Sequence, residues 1–212
     1  MDGVDGGGRL DDPMPARRLV LASASPARRR ILVEAGFDPE VVVSGVDEEG
    51  FTAASLDELV IAIAEKKAEI VAGRPEVVGA VVVACDSLLD VDGEVHGKPA
   101  SVDEARARLV RLRGRSAILR TGHCVVDTKS GGRASAAAAT EVRFGYYDDT
   151  ELEAYLATGE ALAVAGSFTL DGRSAPFVDG IVGDHGNVIG LSLPLLRRLL
   201  ARLDVTVMDL WI

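Results

Sequence analysis

Leu19-Val20-Leu21-Ala22-Ser23-Ala24-Ser25-Pro26-Ala27-Arg28-Arg29-Arg30 is the stretch on which the reading of this chain turns. Three apolar residues suited to a short buried strand stop at a serine turn, and a proline then opens a basic segment. Ser25 stands where a helix N-cap belongs, and Pro26 fills the first helical position, where a missing N–H costs nothing. The unpaired N–H groups of a helix start attract anions, and residues 28–30 add formal positive charge. Strand, serine turn and basic helix together predict an α/β unit with an anion-facing junction. The junction is not a P-loop, because it lacks the glycine-rich run and its Gly-Lys-Ser/Thr ending.

Outward from this unit, strands and helices continue to alternate, which predicts an α/β fold. The first helix extends over 28–35 and stops at Gly36. A valine strand over 40–44 leads into the acidic loop 45–50. Ser55-Leu56-Asp57-Glu58 is a capping box opening a helix to about Ala72, with Leu59, Ile63 and Ile70 at helical spacing. The apolar run 77–84 reads as a buried strand ending at Cys85-Asp86-Ser87, followed by a hairpin over 88–95 turning at Asp92-Gly93. A second capping box, Ser101 to Glu104, opens a helix carrying Val102, Ala105, Leu109 and Leu112 on one face. Strands over 117–127 and 138–144 flank a soft linker at 128–137, the one candidate domain boundary. A short helix covers 150–157, a glycine-bounded turn and strand covers 186–191, and an amphipathic helix covers 192–203.

Composition narrows the function classes. The chain has 212 residues, 48% of them apolar and 26% charged, as in a folded globular protein. A net charge of −10 argues against nucleic-acid binding, where a basic surface supplies most of the affinity. No apolar run is long enough to span a membrane. Residues 1–16 are acidic and glycine-rich, predicting a disordered extension without signal-peptide character, and residues 17–212 then form a single domain, with room for two lobes. The two cysteines, Cys85 and Cys124, lie beside valine runs and read as buried thiols, which suits a cytoplasmic protein.

Several residues have the chemistry of a phosphate-handling site. Asp86, at the end of a strand without charge, can serve as a general base or metal ligand where α/β sheets bind their substrates. Lys98, in the loop Gly97-Lys98-Pro99, offers a point charge for phosphate. Asp47, Glu48 and Glu49 supply oxygen ligands of the kind Mg²⁺ takes. One of Lys66 and Lys67 faces inward if Ala64 and Ala68 belong to the packed side of their helix. The three histidines show no metal-ligand spacing.

In order along the chain, Leu21-Ala22-Ser23-Ala24-Ser25-Pro26, Asp47-Glu48, Lys67-Ala68, Ala84-Cys85-Asp86-Ser87, Gly97-Lys98-Pro99, Thr121-Gly122, Thr158-Gly159-Glu160, Ala165-Gly166-Ser167-Phe168 and Asn187-Val188-Ile189-Gly190-Leu191 resemble the Maf family of nucleoside triphosphate pyrophosphatases. The resemblance spans about residues 17–203. It implies an elongated mixed sheet flanked by helices with a central substrate cleft, related to the inosine triphosphate pyrophosphatases. It implies Asp86 as proton acceptor, Glu48 as an acidic residue helping Asp86 hold a divalent metal (Mg²⁺ or Mn²⁺), and Lys67 and Lys98 as phosphate-binding lysines. Ser23 and Arg28 match substrate-loop positions. The reaction so implied cleaves a nucleoside triphosphate to the monophosphate and pyrophosphate, with removal of non-standard nucleotides as one use and a homodimer as one form. The family is also associated with a non-enzymatic role in cell division and septum formation.

Three departures from the family pattern stand out. Ala27 replaces the first arginine of the usual Ser-Pro-Arg-Arg. Ser87 replaces the usual threonine after Asp86 and keeps a hydroxyl for the substrate. Asp171-Gly172 stands where a pyrimidine-selective subgroup carries glutamine before glycine, which leaves the base open because a carboxylate accepts hydrogen bonds but does not donate them. A phosphatase working through an aspartyl-phosphate would need a second aspartate two residues after Asp86, and position 88 is Leu88.

Overall fold

The computed structural model describes residues 17–48 and 50–212. The expected extension over 1–16 and the side chain of Glu49 lie outside the described residues. A seven-stranded mixed sheet carries helices on both faces. Strand β1 (Leu19–Leu21) pairs in parallel with β2 (Pro39–Val41) on one side and with β3 (Val81–Val91) on the other. Beyond β3 the sheet is antiparallel, through β5 (Ser116–Asp127), β6 (Gly132–Phe144) and β7 (Val178–Val182), while β4 (Glu94–His96) folds back on the far end of β3. The hairpin turn at Asp92-Gly93 is as the sequence predicts, with both residues at positive φ.

The two-residue period of β3 divides its side chains between two cores. Val81, Val83 and Cys85 face α1 (Pro26–Glu34) and α6 (Leu193–Ala201), packing with Leu32, Leu196 and Leu199. Val82 and Ala84 face α2 (Leu56–Ala72), packing with Ala64, Ala68 and Val71. A third core, around Leu89, Leu119 and Val142, lies under α3 (Val102–Leu112) and α4 (Asp149–Leu156) and receives Phe168 from a loop.

Local signals predicted most boundaries. Ser25 caps α1 by accepting from the Arg28 N–H, and Pro26 fills its first turn. Ser55 and Ser101 cap α2 and α3, though Glu58 and Glu104 return their bonds to the Ala54 and Ala100 N–H groups, one residue before each cap.

Five expectations fail. Residues 128–137 are not a linker: a tight turn held by the Asp127 carboxylate leads at once into β6, which pairs with β5 along its whole length. Residues 186–191 contain no strand but a one-turn helix, α5 (His185–Ile189), capped by Asp184. The buried stripe of α2 runs through Val60, Ile63, Lys67 and Val71, so Ile70 and Leu59 lie off it, and on α3 Val102 is exposed while Arg108 is buried. Asp86 is not at a strand end but midway along β3.

Candidate active site

The position of Asp86 is nonetheless open on one side. β1 accompanies β3 only as far as Val83, and β4 joins it only from Leu89. Between these two neighbours the edge of β3 faces a cleft of about 1010 Å³. On its other side Asp86 pairs with Gly122 of β5, and a Cβ there would come within 2.1 Å of the Val60 carbonyl oxygen. Glycine therefore permits α2 to lie against the sheet at the level of Asp86.

Strand period and helix period then meet. Asp86 shares the parity of Val82 and Ala84 and points to α2, whose buried stripe presents Lys67. Lys67 Nζ donates to Asp86 Oδ1 at 2.7 Å and lies 2.5 Å from Glu48 Oε1, which comes from the acidic loop. Lys67 is thus the inward lysine, and Lys66 is exposed on the helix surface, near Glu69. Both members of the Lys67–Asp86 pair are buried. Burial pushes the Asp86 carboxyl above its ordinary range, against the pull of Lys67 and Arg28, and Glu48 adds to the rise. Asp86 Oδ2 is buried with no hydrogen-bond partner among the described residues. A carboxylate held by one oxygen, with the other bare and basic, is suited to accept a proton or a cation.

Ser87 has the opposite parity and points to α1. There Arg28 donates from Nη2 to Ser87 Oγ at 3.0 Å, from Nη1 to the Cys85 carbonyl at 2.8 Å and Ser23 Oγ at 3.2 Å, and from Nε to the Gly190 carbonyl at 2.9 Å. Four of its five donors are spent on protein. Arg28 is therefore a clamp joining the serine turn, β3 and the chain after α5. The network continues inward: the Ser87 and Thr121 hydroxyls lie 2.9 Å apart, and Thr121 donates to the Asn187 carbonyl. Beside it, His123 is fixed neutral, since its Nδ1 meets the Thr121 carbonyl and its Nε2 accepts from the Ser192 N–H; burial lowers its pKa to about 4.

Lys98 and Asp171 line the same cleft. Lys98 is exposed at its loop tip. Asp171 accepts from the Arg30 guanidinium and from the Thr169 hydroxyl, so both of its oxygens are engaged. Sequence reading counted Arg30 only as charge on the first helix and missed its partner Asp171, 141 positions away, and it missed the role of Glu160, whose carboxylate receives the Arg173 and Ser174 N–H groups and shapes the loop carrying Asp171. Thr158-Gly159-Glu160 was visible as part of a resemblance, but nothing local showed what its carboxylate would hold.

Cys85 and Cys124 are free and buried on opposite faces of the sheet, and burial pushes their thiols up to about 11 and about 12. They are inert at neutral pH. Among the described residues no three His, Cys, Asp or Glu side chains converge as a metal cage. Mg²⁺ does not need one, since it binds through one or two carboxylates, waters and substrate phosphates. The bare Asp86 Oδ2 with Glu48 nearby fits that mode.

Similarity to known proteins runs through the same residues. The family model described as Maf-like protein matches residues 18–203. A Streptomyces coelicolor protein named nucleoside triphosphate pyrophosphatase is 63% identical over 199 residues, covering 94% of this chain and 97% of that one. Proteins of the same name from Streptomyces avermitilis and Salinispora tropica are 60% and 51% identical, covering 93% and 92% of this chain and 96% and 87% of theirs. Among the described residues no helix is long and apolar enough to cross a membrane.

Proposed function

The chain belongs to the Maf-like protein family, and from that premise we propose that it is a nucleoside triphosphate pyrophosphatase whose cleft places the substrate phosphates between Asp86, Lys67 and Lys98. The observation that carries the reading is that Asp86 lines the cleft with its carboxyl raised in basicity, Oδ1 held by Lys67 and the buried Oδ2 without a partner among the described residues. Asp86 takes the proton of the attacking water, and the bond between the α- and β-phosphates breaks to release pyrophosphate. Lys67 and Lys98 stabilise negative charge as it builds on the phosphoryl oxygens and the leaving group. Lys67 arrives preoriented, because two carboxylates fix its ammonium. Asp86 and Glu48 would hold Mg²⁺ or Mn²⁺, which when bound neutralises phosphate charge and lowers the pKa of water.

The clamp geometry changes what Arg28 does. It contributes charge at the phosphate end, but two of its four hydrogen bonds align Ser23 and Ser87 at the cleft wall and the other two hold the Cys85 and Gly190 carbonyls. Arg30 and Asp171 pair within the lining of the cleft and would meet the base, with Arg30 supplying the donors that a carboxylate lacks. The cleft, about 1010 Å³, stands at the upper end of ordinary small-ligand pockets, ~1,000 Å³, so a whole nucleotide fits. A panel of standard and modified nucleoside triphosphates, assayed with Mg²⁺ for monophosphate and pyrophosphate, tests the reading. Release of inorganic phosphate alone, or no turnover of any member, would remove it.

A further inference from the structure

Lys98 is exposed on a three-residue loop, yet the loop's backbone is held from beneath by a buried charge. Arg108, only 4% exposed, projects inward from α3. Its Nη1 donates to the Gly97 carbonyl at 2.7 Å and to Ser167 Oγ at 3.1 Å, and its Nη2 donates to Glu104 Oε1 at 2.7 Å. Glu104 uses its other oxygen to accept from the Ala100 N–H at 2.8 Å. The Gly97 carbonyl also accepts from the Gly166 N–H. The residues on both sides of Lys98 and Pro99 are thus tied to one ion pair, and through Ser167 to the loop that delivers Phe168.

Ser167 makes the arrangement selective. It is fully buried and has φ of 68°, a left-handed conformation that serine rarely adopts. Its neighbour Gly166, at φ 73°, lies so close to Leu89 that a Cβ would come within 2.8 Å of it. A strained, crowded turn is held in register by backbone bonds from the Gly166 and Ser167 N–H groups and by two side chains, Arg108 donating to Ser167 Oγ and Tyr155 Oη to the Ser167 carbonyl. A buried arginine is a poor way to gain stability, because desolvation offsets its Coulomb gain. It is a good way to fix geometry, since its planar fork serves three acceptors in one orientation.

We propose that Arg108 is a positioning residue for the reaction: it fixes the Gly97-Lys98-Pro99 loop so that the Lys98 ammonium is presented to the substrate phosphates. It touches neither substrate nor reacting atoms and acts through Lys98. The proposal rests on Lys98 as a phosphate-binding lysine.

A double-mutant cycle separates the two claims. Lys98→Ala, Arg108→Met and the double variant are compared for kcat and KM in pyrophosphate release, with Tm measured for each. Arg108→Met should lower kcat/KM at least about ten-fold and divide the loss between kcat and KM as Lys98→Ala does. Once Lys98 is absent, removing Arg108 should cost no more than about two-fold further. Equal losses in both backgrounds would make Arg108 a purely structural residue and overturn the proposal while leaving Lys98 in its role. Wild-type kinetics for Lys98→Ala would overturn both. If Arg108→Met does not fold, Glu104→Gln, which removes the ion pair at the exposed end, is run through the same cycle with the same criteria.

Discussion

Asp86 and Ser87 are neighbours on one strand, yet their surroundings differ in kind. On the α2 side, Asp86 is buried, held by one oxygen and left bare at the other. On the α1 side, the Ser87 hydroxyl is engaged by both Arg28 and Thr121. Asp86 keeps an oxygen with an unmet need for a proton or a cation, and the Ser87 hydroxyl does not. Unsatisfied buried groups are costly, and of those among the described residues only Asp86 Oδ2 belongs to a residue that lines the cleft, which marks where the chemistry is. The α1 side acts as frame: it fixes β3, the serine turn and the chain after α5 to one another.

The comparison is broken most easily at Asp86. Asp86→Asn keeps the shape but removes the base, and we expect a folded protein with turnover down by ~10²–10⁴. Pyrophosphate release and a melting curve on one preparation measure both. Turnover within a few-fold of wild type would end the distinction between the faces.

The framing side should respond to pH in stability. His123 is neutral in the fold, with a pKa near 4 against an ordinary 6.5. The unfolded chain therefore binds this proton more readily, and the stability present above pH 6.5 is lost as pH falls toward 4. The full swing is roughly 3 kcal/mol, read by denaturant unfolding across that range. His123→Gln should flatten the slope.

Ser87→Ala is the smallest effect and the sharpest contrast. It leaves Arg28 Nη2 and Thr121 each one partner short, which costs ~1–3 kcal/mol of stability. Turnover should remain within about ten-fold of wild type, since the hydroxyl frames the site without moving a proton. Paired unfolding and kinetic measurements check it; a loss of turnover equal to that of Asp86→Asn would place Ser87 in the chemistry.

Which of these groups could be read from the sequence depended on the range of the interaction. Ser25-Pro26 and Asp92-Gly93 act within a few residues, and the cap and the hairpin formed as expected. Lys67 could be narrowed to one of two, because Ala64 and Ala68 mark the packed side, and the family resemblance chose it. Residues 128–137 misled because glycine and a run of alanines have little strand propensity of their own; twelve paired positions on β5 override that. Gly186 and Gly190 suggested a turn and concealed the Asp184 cap before them. Arg108 was invisible, since pattern reading assigns arginine on an amphipathic helix to solvent, and nothing local showed that the Gly97 carbonyl and the distant Ser167 hydroxyl would draw it inward. Asp86 was recognised for a wrong local reason, as a strand end. What exposes it is the place where β1 stops and β4 has not begun, and only the sheet order reveals that.

The central claim is that Asp86 is a base whose proton affinity is raised by burial and restrained by Lys67. The titration of the Asp86 carboxyl, followed by carbon-13 NMR on metal-free wild type and Lys67→Met over the range where circular dichroism shows native protein, tests it directly. Its midpoint should lie above the ~3.9 of an unperturbed aspartate. Removing the Lys67 charge should move that midpoint higher. A midpoint at the ordinary value, or one that Lys67→Met leaves in place, would contradict the account.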